Sequence, residues 1–167
     1  PISDMSETTV LQLMAARGNF TCFAPTNEAI HEYLKTLVLD SLIAEPSWSS
    51  FTDSTKLDSI RKVIVFNSII DGGNEATQLF ETPNFPVENN SELSIGNLMD
   101  SQLTVNYVDN NPDSIYINGD CAIDILNRDI PAINGFIHRI HKVIAPRNIT
   151  AAYYLQNILD KQIEGYL

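Results

Sequence analysis

The spacing of apolar residues in the first half of the chain is helical and predicts three helices. Across Ser54–Asn67, apolar residues recur at every third or fourth position, as on the buried face of an amphipathic helix. A similar stripe extends from Thr26, a good N-cap residue, to Val38. A third helix is predicted over Glu7–Ala16, where Gly18 acts as the stop signal.

In the second half the apolar period changes to two, which predicts strands. Apolar and polar residues alternate across 103–107, and a second strand is predicted over Ser114–Asn118 after the turn Asp109–Asp113. The pair Asn118-Gly119 is a strong signal for a hairpin turn and leads into Cys121–Ile125. These segments predict successive hairpins.

Two more strands complete the predicted sheets. One is expected over Asn19–Ala24 and ends at Pro25, and the other over Phe136–Ile144, ending near Pro146. Helices followed by strands predict a mainly β fold with substantial helix, of the α+β class. We expect a single domain over residues 1–150.

Residues 151–167 are predicted to form a C-terminal helix, or a linker toward a following domain. They carry an apolar stripe at helical spacing, formed by Leu155, Ile158, Leu159 and Ile163. The stripe must face either this domain or a neighbour. The second alternative would make the domain a structural spacer in a tandem array.

Composition and charge narrow the classes of function. The 167 residues are 44% hydrophobic and 19% charged, which is typical of a globular domain able to bury a core. The 21 acidic residues against 10 basic ones give a net charge of -11, which repels nucleic acid and anionic lipid. The apolar runs are far shorter than the roughly 20 residues of a membrane-spanning helix. We expect no nucleic-acid partner and no membrane span in this chain.

Motifs that would indicate catalysis do not occur in the sequence. It contains no Gly-x-Ser-x-Gly, no His-Glu-x-x-His, no Cys-x-x-Cys and no phosphate-binding glycine loop. We therefore expect a protein that is not an enzyme and uses no cofactor. A small-molecule hydrolase or carrier is the minor alternative, since one fold hosts many functions.

Two residue patterns imitate metal sites, and we interpret neither as one. His138 and His141 are three residues apart on a predicted strand, where they point to opposite faces. A partial calcium-loop pattern is formed by Asp109, Asn111, Asp113 and Asp120. It lacks the required glycine and ends in Asp rather than Glu, so we interpret it as a hairpin turn.

The two cysteines and three glycosylation triplets carry little information. Cys22 lies in an apolar, strand-like run, where a thiol behaves as a small hydrophobe, so we favour free thiols over a disulfide with Cys121. Asn-x-Ser/Thr triplets begin at Asn19, Asn89 and Asn148. They matter only in a host that glycosylates.

Two segments resemble the paired signature boxes of the fasciclin domain family. The first is Asn19–Ile30, with the core Phe23-Ala24-Pro25-Thr26-Asn27. The second is Ile133–Pro146, with the signature residues Asn134, Gly135, Ile137, His138 and Pro146. Between them the family's further landmarks match Leu103-Thr104-Val105, Ile117-Asn118-Gly119 and Asp129-Ile130. Ordered agreement from Asn19 to Pro146 is far more specific than one short motif.

The resemblance implies a fold and a function. The fold is a wedge in which a β-sandwich of about seven strands is flanked by helices, mostly from the N-terminal half. The function is adhesion or binding at a cell surface, by surface complementarity to a protein or a glycan. The resemblance also implies a secreted or bacterial cell-envelope protein, with a lipoprotein anchor on a removed N-terminal segment as one expectation.

The sequence departs from the family in three places, one of which is the usual helix pair before the first box, shortened here to Glu7–Ala16. Animal adhesion members carry a Tyr-His pair associated with integrin contact, and this chain has Phe66-Asn67 there. We therefore do not carry integrin recognition over. The usual Asp of the second box is His141. His138 matches the family's histidine, which we interpret as a buried structural hydrogen-bonding group rather than a pH switch or a ligand.

Overall fold

Two four-stranded sheets and two α-helices make up the part of the chain that the computed structural model describes, which is residues 18–72, 81–85, 93–109 and 111–144 with Gln12 and Ala15. The helices are α1 (Asn27–Leu39) and α2 (Ser54–Asn67). The strands are β1 (Phe20–Pro25), β2 (Ile69–Asp71), β3 (Leu93–Gly96), β4 (Gln102–Val108), β5 (Asn111–Ile117), β6 (Cys121–Ala122), β7 (Ile130–Ala132) and β8 (Gly135–Ile140). Short 3-10 turns lie at Trp48–Ser50 and Thr82–Asn84.

Both described helices begin at side-chain caps. The Thr26 hydroxyl oxygen accepts a hydrogen bond from the Ala29 backbone N–H at 3.0 Å, which confirms the predicted start of α1. At α2, the Asp53 carboxylate accepts from the backbone N–H groups of Thr55 and Lys56. Each cap satisfies donors that have no partner inside the helix.

The first sheet has the strand order β2-β1-β8-β7 and brings the two signature boxes side by side. β1 runs parallel to β8, with Phe23 opposite His138 and Pro25 opposite Ile140. Gly135 begins β8 at φ 149°, and a Cβ at this position would lie 1.8 Å from the Phe20 carbonyl oxygen. Only glycine allows the backbones to approach so closely.

The second sheet has the order β3-β4-β5-β6, and its inward face supplies most of the core. Leu103, Val105 and Tyr107 are buried as the alternation predicts. They pack in one cluster with residues of the first sheet, including Phe23 and Ile70. The two sheets therefore form a sandwich.

The Asn118-Gly119 turn forms as predicted, with both residues in the left-handed region at φ 54° and 79°. Asn118 also anchors the neighbouring strand, because its side-chain oxygen accepts from the Thr104 N–H at 3.1 Å while its own N–H donates to the Thr104 carbonyl at 2.8 Å. Asn118 therefore stabilises the pairing of β4 with β5 as well as forming the turn.

Three predicted strand limits are wrong. β8 ends at Ile140 rather than Ile144, because its parallel partner β1 stops at Pro25. β5 begins at Asn111, so the turn before it is shorter than predicted. β6 stops at Ala122, and the next residue, Ile123, links the two sheets: its N–H donates to the Ile115 carbonyl oxygen of β5 at 2.9 Å, and it also bridges to Ile140 of the first sheet. The described part of the chain therefore contains eight short strands, whereas about seven were expected for the whole fold.

Several expectations lie outside the described residues. They include the apolar stripe on 151–165 with the spacer alternative, the boundary at residue 150, Pro146, and the triplets at Asn89 and Asn148. Of the predicted helix Glu7–Ala16, only Gln12 and Ala15 are described, and both are helical.

Candidate functional site

His138 lies at the centre of the sandwich with no exposed surface. Its ring stacks on Phe23 at 5.7 Å between centroids and tilts against Phe85 at 5.8 Å. Its Nδ1 accepts a hydrogen bond from the Asp129 backbone N–H at 3.0 Å. A ring whose Nδ1 accepts must carry its proton on Nε2. The structure thus places this signature residue inside the core rather than in an open site.

Asp129, the acidic residue ahead of the second box, fastens the turn at residues 82–84. Its carboxylate accepts from the Thr82 backbone N–H at 2.8 Å and from the Thr82 hydroxyl at 2.5 Å. The Tyr107 hydroxyl donates to the Thr82 carbonyl oxygen. Asp129 itself has φ 55°, in the left-handed region that Asp and Asn adopt more readily than other residues with a side chain.

The Phe66-Asn67 position is occupied by internal contacts. Asn67 is buried, and the Asn97 side-chain amide donates to its carbonyl oxygen at 3.1 Å and to its side-chain oxygen at 2.9 Å. The Phe66 ring is half-buried, with the Lys62 ammonium 5.5 Å from its centroid. Asn67 therefore ties the end of α2 to the turn before β4 and is withdrawn from the surface.

The residues that imitate metal sites are held apart or paired with cations. His138 is buried, whereas His141 is exposed with its Nε2 3.7 Å from the Asp124 carboxylate. Asp113 pairs with Arg128 at 3.2 Å and Asp120 with Lys142 at 2.5 Å. Within the described ranges, no three His, Cys, Asp or Glu side chains are grouped so as to hold a metal ion.

Both cysteines are free thiols, as the sequence favoured. Cys121 is buried, donates to the Lys142 carbonyl oxygen at 3.2 Å, and has its pKa raised by burial to about 12. Burial also raises the pKa of the Cys22 thiol. Neither sulfur is a thiolate at neutral pH, so neither is an activated nucleophile.

A cavity of about 360 Å³ lies on the helix-covered side of β1, and we call it the helix-side pocket. Its walls come from β1, both helices and the turn at Trp48, and include Cys22, Pro25, Ile30, Trp48, Ile64 and Val65. Arg61 lies at the pocket with its guanidinium 5.1 Å from the centroid of the Trp48 ring. No sequence motif marks this pocket, because its residues come from four separate segments of the chain.

Four large aliphatic side chains are exposed along one margin of the first sheet, namely Ile125, Leu126, Ile130 and Ile133. This part of the chain runs alongside β8. It begins at the Ile123–Ile140 bridge, continues with backbone hydrogen bonds of Asp124 and Asn127 to Arg139, and ends where β7 pairs with β8. We call residues 123–133 the aliphatic edge.

A fixed turn presents the most exposed of these side chains, Leu126. The Asp124 carboxylate accepts from the Leu126 backbone N–H at 2.9 Å and from the Asn127 side-chain amide at 3.1 Å. These bonds lower the pKa of Asp124. The turn is therefore held by a charged acceptor and keeps Leu126 pointing outward, 87% exposed.

Comparisons with known proteins agree with this architecture. The family model for the fasciclin domain matches residues 2–146. A solved FAS1 domain pair from the insect cell adhesion molecule Fasciclin I is similar in fold, with a TM-score of 0.51 and 18% sequence identity. That match covers 88% of this chain and 44% of the solved chain. No curated protein matches the sequence.

The chain belongs to the fasciclin domain family. Domains of this family occur in cell adhesion proteins and at cell surfaces, and the family is of a non-enzymatic, adhesion type. No helix among the described residues is long and apolar enough to cross a membrane.

Proposed function

We propose that this domain is an extracellular binding module of a cell-surface or secreted protein, and that it recognises a protein partner through the aliphatic edge. One observation carries the proposal, which is the row of four exposed aliphatic side chains on one sheet margin. Exposed apolar surface is costly and in soluble proteins commonly marks an interaction site. Four exposed aliphatic side chains on one margin are unusual for a chain with a net charge of -11.

The geometry of the edge favours recognition by side chains over addition of a strand. β7 is the outer strand of its described sheet, so a partner strand would have to pair with it. Pro131 lies in the middle of β7 and has no N–H to donate to such a ladder. The aliphatic side chains are then the available means of contact.

The chemistry of the edge favours a protein over a glycan. Sugars present many hydroxyl groups, whose hydrogen bonds aliphatic side chains cannot satisfy. Well-packed apolar groups at the centre of an interface are instead typical of protein recognition. A polar rim is supplied nearby by Arg128 and Asp113, which pair with each other. Arg128 also donates to the Pro112 carbonyl oxygen at 2.8 Å.

The proposed activity involves no catalytic step. Burial keeps both cysteines protonated, and Nδ1 of His138 already accepts a hydrogen bond from the Asp129 N–H. These groups therefore serve the core rather than a reaction.

The test compares cell attachment to surfaces coated with the wild-type domain and with two variants. The edge variant combines Ile125→Ser, Leu126→Ser, Ile130→Thr and Ile133→Ser. The control combines Leu39→Ser and Leu42→Ser, which removes exposed aliphatic side chains elsewhere. Purified matrix proteins and a glycan array are probed in parallel.

We expect the wild type and the control to bind cells and at least one matrix protein. We expect the edge variant to bind at least about a hundredfold more weakly, because hot-spot truncations typically cost over tenfold each. Equal binding by the edge variant would contradict the assignment of the edge. Binding to glycans alone would contradict the protein partner.

A further inference from the structure

We propose that the helix-side pocket binds a small amphipathic carboxylate, a molecule with one carboxylate group and an unbranched aliphatic tail. The carboxylate lies at Arg61, and the tail lies between β1 and α2. β8 separates β1, which lines this site, from β7 of the aliphatic edge, and the pocket and the edge share no residue. The inference therefore does not depend on the proposed protein partner.

The walls of the pocket suit a hydrocarbon tail. Its volume of about 360 Å³ lies within the range of ligand pockets, roughly 300 to 1,000 Å³. The lining is mainly aliphatic and aromatic, and its two uncharged polar side chains, Ser68 and Cys22, are weak competitors for a ligand. The Ser68 hydroxyl donates to the Ile64 carbonyl oxygen at 2.8 Å, and burial keeps the Cys22 thiol uncharged.

Arg61 is the feature that selects a carboxylate. Its guanidinium carbon lies 5.1 Å from the centroid of the Trp48 ring, within the range of a cation–π contact. None of the ion pairs formed among the described residues includes Arg61. A carboxylate matches two parallel guanidinium donors, which makes it the complementary head group.

The net charge of the whole chain opposes the binding of an anionic ligand. At a net charge of -11, the long-range field opposes the approach of anions and favours cations. A preference for an anionic ligand over a cationic one of equal length must then come from a local cation. Arg61 is the cation at this pocket.

The test uses the tryptophan inside the pocket as a reporter. The chain has a single tryptophan, Trp48, so its fluorescence reports this site alone. The intact protein is titrated below the micelle concentration with decanoate, decanol and decylamine, which share one tail. A second series uses hexanoate, octanoate and decanoate. Calorimetry gives the Kd values, because substitution of Arg61 also changes the Trp48 emission directly.

Two adjacent substitutions on α2 separate the local charge from net charge. Arg61→Gln removes the pocket cation, whereas Lys62→Gln removes a neighbouring cation that lies over the Phe66 ring and does not line the pocket. Both lower the net charge equally. Circular dichroism and thermal melting establish that each variant is folded.

We expect decanoate to bind at least tenfold more tightly than decanol or decylamine, and each added methylene to tighten binding roughly fourfold. Arg61→Gln is expected to weaken decanoate binding about tenfold, with Lys62→Gln unchanged. Decanoate should also slow modification of Cys22 by a thiol reagent.

Three results would overturn the proposal. One is no saturable change with any of the three ligands. Another is binding of decylamine as tight as that of decanoate or tighter, which would mean that the long-range field of the chain, and not Arg61, determines which head group is preferred. The third is an Arg61→Gln variant that binds decanoate like the wild type, which would make the pocket an apolar cavity without a head-group site.

Discussion

The Asp129 carboxylate is expected to be a major determinant of stability, although it lies in a turn. It accepts two hydrogen bonds from Thr82, and its side chain is about a third exposed (31%). Hydrogen bonds to charged groups contribute about 1.5 to 3 kcal/mol each, and partial exposure places these at the lower end, about 3 kcal/mol together. Asp129→Ala also puts alanine at φ 55°, which adds about 1 kcal/mol of strain. We expect a loss of about 3 to 4 kcal/mol in the free energy of unfolding.

Two further variants make the test specific. Asp129→Asn keeps an acceptor for the Thr82 N–H and tolerates the left-handed backbone, so it should cost about 1 kcal/mol. Asp113→Ala removes a surface carboxylate paired with Arg128 at 3.2 Å and should cost no more than about 1 kcal/mol. The free energies come from urea denaturation followed by circular dichroism and fluorescence.

A double-mutant cycle with Thr82→Val measures the coupling itself. We expect the two substitutions to be non-additive by about 1 kcal/mol or more, since they remove the same hydrogen bond. A loss below about 1 kcal/mol for Asp129→Ala, or additive effects in the cycle, would refute the view that Asp129 fastens the turn.

Two more predictions follow from the contacts of β8 and from the buried thiol. Gly135→Ala should prevent folding or lower the free energy of unfolding by more than about 3 kcal/mol, because a Cβ would lie 1.8 Å from the Phe20 carbonyl oxygen. Gly96→Ala is the control and should cost about 1 kcal/mol or less, because its Cβ would meet only the Gln102 side chain at 3.6 Å. Urea denaturation measures both free energies. Burial raises the pKa of Cys121 to about 12, and the thiolate is the reactive form of a cysteine. In a Cys22→Ser variant, the rate at which a thiol reagent modifies Cys121 should therefore still rise with pH at pH 10. A rate that reaches a plateau near pH 9 would contradict the raised pKa.

Much of the fold was predictable because the signals are local. The Thr26 cap depends on a hydroxyl three residues from the N–H that it binds, and the Asn118-Gly119 turn depends on two residues that tolerate positive φ. The alternation of Leu103, Val105 and Tyr107 follows from the geometry of a single strand. Such features can be recognised within one short segment.

The strand limits, the pocket and the aliphatic edge could not be predicted, because they depend on contacts between distant segments of the chain. β8 ends at Ile140 because a strand more than a hundred residues earlier ends at Pro25, and the chain changes sheets at Ile123. The helix-side pocket combines Cys22, Trp48 and Arg61 from three elements. The aliphatic edge could not be predicted either, because Ile125 ends the predicted strand Cys121–Ile125 and only the structure shows that its side chain is exposed.

The proposed contact between the aliphatic edge of this fasciclin domain and a protein partner can be tested directly. Leu126 and Leu39 allow a matched test, because they are the same residue type and are exposed to nearly the same extent, 87% and 83%. A photo-crosslinking amino acid is placed at one position or the other, and each protein is illuminated on the surface of cells to which it binds. We expect a discrete crosslinked cell-surface protein from position 126 and none from position 39. Equal crosslinking from both positions, or crosslinking from position 39 alone, would contradict it.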